Sequence, residues 1–372
     1  MPLPRRLLKN IDYTMIVAVL LLLGLGLLAI ASATQANAVG NGGTVTYVKK
    51  QALGIIIGLV AAVVVMSIDY SNYSRFANYL YFGSLAMLLL VLLPGLGKEN
   101  FGAQRWFSIG SFEFQPSEFA KLAIIITFAD LLSKKNGKIE TWQELLPLLV
   151  HVGIPLLLIL RQPDLGTTLI ILAAAFAMLY VSGLKAKFLN TILGAGLAIS
   201  PVLWHLLKPY QKRRLLVFIN PQADPLGDGY HIIQSKIAIG SGQLFGKGLF
   251  AGTQNQLKFL PIRHTDFIFS VIGEEFGFIG SIVLLALLWV FLWRGTRVVM
   301  EAKDTFGSLI AVGIVAAMGF QSFINIGMTM GIMPVTGKTL PFVSYGGTSI
   351  VANLLALGVL LSVYIRRQKI MF

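Results

Sequence analysis

Asp266 stands in the heptapeptide RHTDFIF (263–269), directly before an apolar run long enough to cross a membrane, with Arg263 and His264 beside it. A bilayer penalises charge, so a carboxylate kept at its lip has one of two roles. It caps the following helix by accepting hydrogen bonds from the first free N–H groups, or it does acid–base chemistry. The residues alone leave both open. Glu118 and Lys121, in QPSEFAKLAIII, begin another apolar stretch. Three residues apart on a helix, they share a face about 4.5 Å apart along the axis and are expected to form an ion pair. Such a pair either locks helix packing or lines a polar cavity that orients a ligand. Asp130 is expected to pair with Lys134 at the other end of that helix. Glu274 and Glu275 follow Asp266 roughly 12–14 Å deeper, and at least one of them must meet a partner, water or a proton.

Arg105 (GAQRWF), Gln115, Arg161, Asp164 (RQPDLGTT), the run Lys212, Arg213, Arg214, and Lys338 are expected on the same side as Asp266. A one-sided set of cations suits an anionic headgroup such as a pyrophosphate, although each cation alone serves equally as an interface anchor. The candidate substrate-binding or cavity residues are Glu118, Lys121, Arg105, Gln115, Arg213, Arg263, His264, Lys338 and Ser344. Ser344 lies in PVTGKTLPFVSYGG, whose prolines and glycines permit non-helical backbone at membrane depth if it faces a cavity. The phosphate-loop, zinc-protease and serine-hydrolase signatures are all missing.

The elements that must position these residues are membrane helices. The chain has 372 residues, 56% hydrophobic and 12% charged, too apolar for one soluble core. Its net charge of +14 comes from short clusters between apolar runs, which orient helices in a bilayer and argue against nucleic-acid binding. With no cysteine, disulfides and thiol chemistry are excluded. Residues 14–30 imitate a signal peptide, but the run is about 20 residues, the length of a full span, and is read as the first helix.

Apolar stretches near 13–33, 51–68, 77–95, 117–133, 145–160, 165–183, 188–207, 267–293, 307–333 and 343–365 predict an all-α integral membrane protein of about ten transmembrane helices. It forms one polytopic domain, 1–372. Short loops rich in Lys and Arg, such as those with Arg5, Arg6, Lys134, Lys135, Arg366 and Arg367, place both termini in the cytoplasm. The large extracytoplasmic loop 208–265, between helices 7 and 8, is expected to hold a short interfacial or re-entrant helix and then a flexible glycine-rich loop; 96–116 is a second long loop.

The segments GAQRWFSIGSFEFQPSEFAKLA, RQPDLGTTL, SKIAIGSGQLFGKGLFAGTQ, LPIRHTDFIFSVIGEEFG and NIGMTMGIMPVTGKTLPFVSYGGTS, in this order along nearly the whole chain, resemble the SEDS family (shape, elongation, division and sporulation). Two of them, SKIAIGSGQLFGKGLFAGTQ and GIMPVTGKTLPFVSYGG, are more similar to the elongation member than to the division member. The resemblance implies a peptidoglycan glycosyltransferase of the bacterial plasma (inner) membrane that polymerises lipid II into a nascent glycan strand outside the cytoplasm for elongation and rod shape. It implies as partners a class B penicillin-binding protein, other elongation-complex proteins and membrane lipids. It implies that Asp266 is the catalytic residue and that Glu118 and Lys121 are the membrane-embedded acid and lysine. Gln243 stands where many relatives have glycine. Dependence on a divalent cation, Mg²⁺ or Mn²⁺, is implied as well, although no metal-ligand cluster is visible in the sequence; no organic cofactor is expected. The alternatives are a lipid II flippase, which should carry polar groups across both leaflets, and a scaffold that only activates its penicillin-binding partner.

Overall fold

The computed structural model of the chain describes residues 10–35, 43–100, 103–109, 112–135, 139–224, 227–257, 259–260 and 262–367. Arg5 and Arg6, used above for orientation, lie outside the described residues. Helices α1 (Tyr13–Gln35), α2 (Gly43–Ser67), the short α3 (Ser71–Arg75) and α4 (Ala77–Leu90) lead into strands β1 (Lys98–Asn100), β2 (Ala103–Ile109) and β3 (Phe112–Phe114). Then come α5 (Pro116–Lys135), α6 (Trp142–Arg161), α7 (Leu165–Val181) and α8 (Ala186–Leu206). The chain continues through α9 (Pro209–Ile219), α10 (Asp228–Ser241) and the short α11 (Thr253–Gln256) to α12 (Ile268–Glu301), α13 (Thr305–Thr329) and α14 (Gly347–Ile365).

Every expected span has its helix. Six of them, α1, α2, α6, α12, α13 and α14, are long and apolar enough to cross a membrane by length and composition alone; stretches of α4, α7 and α8 are apolar but shorter. Helix α5 carries Glu118, Lys121 and Asp130 inside the fold, each buried, and Asp130 meets Lys134 at 2.6 Å as expected. At the centre lies α14, buried along most of its length, with α2 packed against it. Gly358 permits that approach, since a Cβ there would fall 2.6 Å from the Ala62 carbonyl oxygen. Large apolar side chains of α2, α8 and the second half of α12 face outward, the pattern of helices solvated by lipid.

One feature departs from an all-α fold and two from the expected loops. Strands β1, β2 and β3 form a small antiparallel sheet, order β1-β2-β3, with Lys98 opposite Trp106 and Phe107 opposite Phe114. The aromatic-rich QRWFSI stretch favours a pleated strand, and the segment is too short for the periodic signal of a longer element. The described residues of loop 208–265 are mostly helical, and α10 is packed on α12 and α13 rather than resting on the surface. Its Ser235 is fully buried and donates to the Thr329 carbonyl at 2.6 Å.

The glycine-rich stretch after α10 is pinned instead of loose. Gly277 interrupts α12 with φ 65°, ψ −158°, a conformation nearly restricted to glycine. The backbone groups released by the break pair with this stretch: Lys247 and Gly248 N–H donate to the Glu274 and Glu275 carbonyls, both at 3.0 Å. Phe278 and Ile279 N–H donate to the Gln243 and Leu244 carbonyls at 2.8 and 3.2 Å. Both glutamates also find partners. Glu274 takes Lys247 at 2.8 Å and the Gln254 N–H at 2.9 Å, while Glu275 accepts from Ser32 and from Asn255 Nδ2.

Candidate active site

Asp266 sits in the turn 262–267, its N–H donating to the Ile262 carbonyl at 3.2 Å, immediately before α12. The capping role falls away here: Phe267 is the N-cap residue, with no side-chain hydrogen bond to the helix. The carboxylate is half-buried and faces Arg214 of α9 and Lys338, with Arg105 of β2 farther off. Burial pushes the Asp266 carboxyl above its ordinary value; Arg214, Lys338, a Thr265 hydrogen bond and Arg105 pull the other way without cancelling it.

The turn is stapled to the non-helical segment 334–346. Ser344 Oγ donates to the Thr265 carbonyl at 2.7 Å, and Tyr345 N–H donates to the His264 carbonyl at 2.9 Å. From α13, Asn325 Nδ2 donates to the Asp266 carbonyl at 2.9 Å and to the Lys338 carbonyl at 2.6 Å. One turn earlier, Gln321 Nε2 donates to the Thr339 carbonyl at 2.9 Å. Gly337 runs so close to the carboxylate that a Cβ there would lie 3.4 Å from Asp266 Oδ2.

Lys338 connects this mouth to a buried ionic chain. Its Nζ lies 2.9 Å from Asp164 Oδ2 and 3.7 Å from Glu118 Oε1, and also donates to Thr167 Oγ1. Glu118 Oε2 meets Lys121 Nζ at 3.1 Å, as the spacing predicts, and Lys121 reaches Gln321 Oε1 at 2.8 Å. Asp164 caps α7 through the Thr167 N–H at 3.0 Å and accepts from Gln115 Nε2 at 3.2 Å. Burial alone would raise the Asp164 carboxyl, but Lys338 and Arg105 overcome it and hold it at about 2. Arg105 donates to the Gln162 carbonyl at 2.7 Å and the Pro163 carbonyl at 2.5 Å, with Tyr210 Oη at 3.5 Å. Glu118, Asp164, Lys121 and Lys338 balance in charge, so Arg105 and Arg214 exceed Asp266 and leave the mouth positive, suited to an anion.

Several candidates take other places. Arg263 turns away, buried, with Nε donating to the Ala33 carbonyl of α1 at 2.6 Å. His264 packs edge-on between Tyr47 and Tyr345, ring centroids 5.2 and 5.4 Å away, and burial together with Arg263 lowers its pKa to about 4, so it is neutral at pH 7. Of the basic run, Arg214 rather than Arg213 faces Asp266. Ser344 braces backbone. Gln321 and Asn325 were overlooked in the sequence, although two amides four residues apart in apolar MGFQSFINIGM carry a legible signal: one buried polar stripe.

The donor set does not fit a resident divalent ion. Asp266 is flanked by cations, Asp164 and Glu118 are engaged by Lys338, and the described residues hold no group of three or more acids and histidines suited to a metal.

Residues 13–369 match the family model FTSW_RODA_SPOVE, cell cycle protein. The chain is 39% identical over 369 residues to the peptidoglycan glycosyltransferase MrdB of Escherichia coli, covering 97% of this chain and 95% of that protein. To the probable peptidoglycan glycosyltransferase FtsW of Trichlorobacter lovleyi it is 40% identical over 360 residues, covering 96% and 93%. Its fold matches the crystal structure of the Thermus thermophilus rod shape determining protein RodA, with TM-score 0.71, 31% identity and coverage of 96% and 98%. A chain of a peptidoglycan synthase complex that coordinates polymerization and crosslinking matches with TM-score 0.81, 32% identity and coverage of 96% and 98%. With motifs, membrane-helix architecture and relatives in agreement over nearly its whole length, the chain belongs to the FtsW/RodA/SpoVE family of cell cycle proteins, the SEDS family.

Proposed function

We propose that this protein is a peptidoglycan glycosyltransferase that polymerises lipid II, with Asp266 as general base. The observation that carries the reading is a half-buried carboxylate whose proton affinity is raised by burial, held at the start of α12 beside Arg214 and Lys338. An acceptor sugar hydroxyl attacks the anomeric carbon of an α-linked sugar pyrophosphate; the new C–O bond forms with inversion to β, and the old C–O bond breaks with its electron pair leaving on pyrophosphate. Asp266 takes the hydroxyl proton, and a raised carboxyl pKa makes it a better base. Arg214, with Lys338 behind it, meets the charge that develops on the pyrophosphate. Lipid tails stay in the bilayer while both sugars sit just outside, which accounts for a base at a helix lip.

The skew of Lys and Arg toward one set of short loops supports cytoplasmic termini and a site facing the extracytoplasmic side of the bacterial plasma membrane. The relation to a chain of a peptidoglycan synthase complex supports a penicillin-binding transpeptidase as partner. Relatives named MrdB and FtsW are about equally similar, at 39% and 40% identity, so the assignment to elongation rests on SKIAIGSGQLFGKGLFAGTQ and GIMPVTGKTLPFVSYGG. The test is polymerisation of lipid II by purified protein in detergent, with and without the transpeptidase, and with Mg²⁺ or Mn²⁺ supplied or chelated. Wild type is expected to make glycan, and an equally folded Asp266→Asn none. Glycan of normal length from Asp266→Asn would refute the assignment of the base. Absence of glycan from wild type with its partner present would favour translocation of lipid II or a scaffold role.

A further inference from the structure

Building on that reading, we infer that Asn325 is a positioning residue that sets the spacing between the Asp266 carboxylate and the Lys338 ammonium. The turn 262–267 and the segment 334–346 are irregular backbone, and neither has a helix or sheet of its own to define its place. Helix α13 supplies that reference. From one face, at positions four apart, Gln321 holds the Thr339 carbonyl and Asn325 holds the carbonyls of Asp266 and Lys338. Asn325 is the one described residue whose side chain grips the base's own peptide unit and that of the lysine facing it through a single nitrogen.

The amide orientation is dictated, because two carbonyl oxygens at 2.9 and 2.6 Å require the NH₂ group to face them. Its Oδ1 is left buried without a hydrogen-bond partner, in a side chain with no solvent exposure. Buried polar atoms are normally paired, so an arrangement that satisfies two foreign carbonyls at the expense of its own oxygen points to positioning rather than to stability. The other two staples, Ser344 to the Thr265 carbonyl and Tyr345 N–H to the His264 carbonyl, fix the turn one and two residues earlier and do not involve Lys338. Without Asn325, Lys338 stays anchored by Asp164 and Glu118, while the Asp266 peptide unit loses its tie to that of Lys338.

The test uses full-length protein in detergent with lipid II, with and without the transpeptidase, comparing wild type, Asn325→Leu, which removes both donors at similar size, and Asn325→Ala, which removes them without adding bulk or charge. The readouts are kcat, KM for lipid II, melting temperature and the acid limb of the pH–rate profile. Expected is a fall in kcat of about 10- to 100-fold, the scale of a misplacement near 1 Å, with KM within about twofold. The acid limb should move to higher pH. Of the groups facing Asp266, Arg214, Lys338, Arg105 and the Thr265 hydroxyl all favour its ionised form, and a carboxylate displaced from the anchored Lys338 feels one of them less. A structural role alone lowers the melting temperature and leaves the acid limb of the folded fraction in place. That outcome, or unchanged kcat in both variants, overturns the inference. Should Asn325→Leu fail to fold, Asn325→Ala carries the comparison alone. Wild type that stays inactive with its transpeptidase partner added refutes the glycosyltransferase reading itself, a result separate from any behaviour of Asn325.

Discussion

Replacing Lys338 by Met removes the cation between two buried carboxylates, and the cost can be bounded from the structure. Lys338 is 3% exposed, Asp164 1% and Glu118 3%, so water screens none of them appreciably. Asp164 lies 2.9 Å from the ammonium and Glu118 3.7 Å; Glu118 retains Lys121, but Asp164 keeps only Gln115, the Thr167 groups and the field of Arg105. Breaking a buried pair by removing one partner costs about 3–5 kcal/mol. Independently, the fall of the Asp164 carboxyl from 3.8 to about 2 corresponds to about 2 kcal/mol at 1.36 kcal/mol per unit. That figure is net of desolvation, which hides part of the attraction, and includes shares from Arg105 and Thr167, so it sets an order of magnitude. Lys338→Met is therefore expected to destabilise by about 3 kcal/mol at pH 7.

The same pair carries a pH signature and a coupling energy. The folded Asp164 carboxyl lies below its unfolded value, so the stability it contributes is complete above about pH 4 and is lost as pH falls toward 2. The difference between wild type and Lys338→Met should stay flat from pH 7 to 5 and shrink only below about 4. In a double-mutant cycle with Asp164→Asn, removing both charges should recover about 2 kcal/mol relative to the sum of the single changes. Reversible unfolding in mixed SDS and mild-detergent micelles measures all four corners. A single variant within about 0.5 kcal/mol of wild type, or an additive cycle, would refute a buried Lys338–Asp164 pair.

Asp266 should show the opposite sign. Its folded carboxyl lies above the ordinary value, so ionisation opposes folding, and Asp266→Asn is expected to raise the melting temperature at pH 7 with the gain vanishing below about pH 4. For the same reason the acid limb of polymerisation by wild type should fall above the usual carboxylate value near 3.9, which a pH–rate profile reads directly. Arg214→Gln should lower kcat about 100-fold, the scale for losing a charge-stabilising donor, and Arg213→Gln much less; equal losses in the polymerisation assay would undo the choice between them. Gly277→Ala should cost at least about 1–3 kcal/mol for its backbone conformation. Its Cβ would also lie 2.3 Å from the Gly246 nitrogen, so 243–252 should become sensitive to limited proteolysis.

Much of the protein was legible in the residues themselves. Hydropathy is local, and a run of about 20 apolar residues has one stable solution in a bilayer, so every expected span has its helix. Boundaries were looser: α2 begins at Gly43 rather than 51, and α14 begins at Gly347 rather than 343 because 334–346 stays non-helical against the site. The Glu118–Lys121 pair was readable because three-residue spacing on a helix admits little else. Adjacent cations in the Arg213–Arg214 run could not be told apart, since which one points inward depends on how α9 packs. Charge at the lip drew Arg263 and His264 into the candidate set, yet packing against α1 and between two tyrosines takes them elsewhere.

What the sequence alone determined was the inventory: an apolar chain with an acid at a helix lip, cations on its side and an ion pair inside. Only the tertiary structure decided which of these meet. Lys338 finds Asp164 across 174 residues and Asn325 finds the Asp266 carbonyl across 59. Such contacts leave no local periodicity, because they arise when irregular segments are drawn to buried amides that the packing of α13 presents, and a hydrogen bond between distant segments has no signature in either segment by itself.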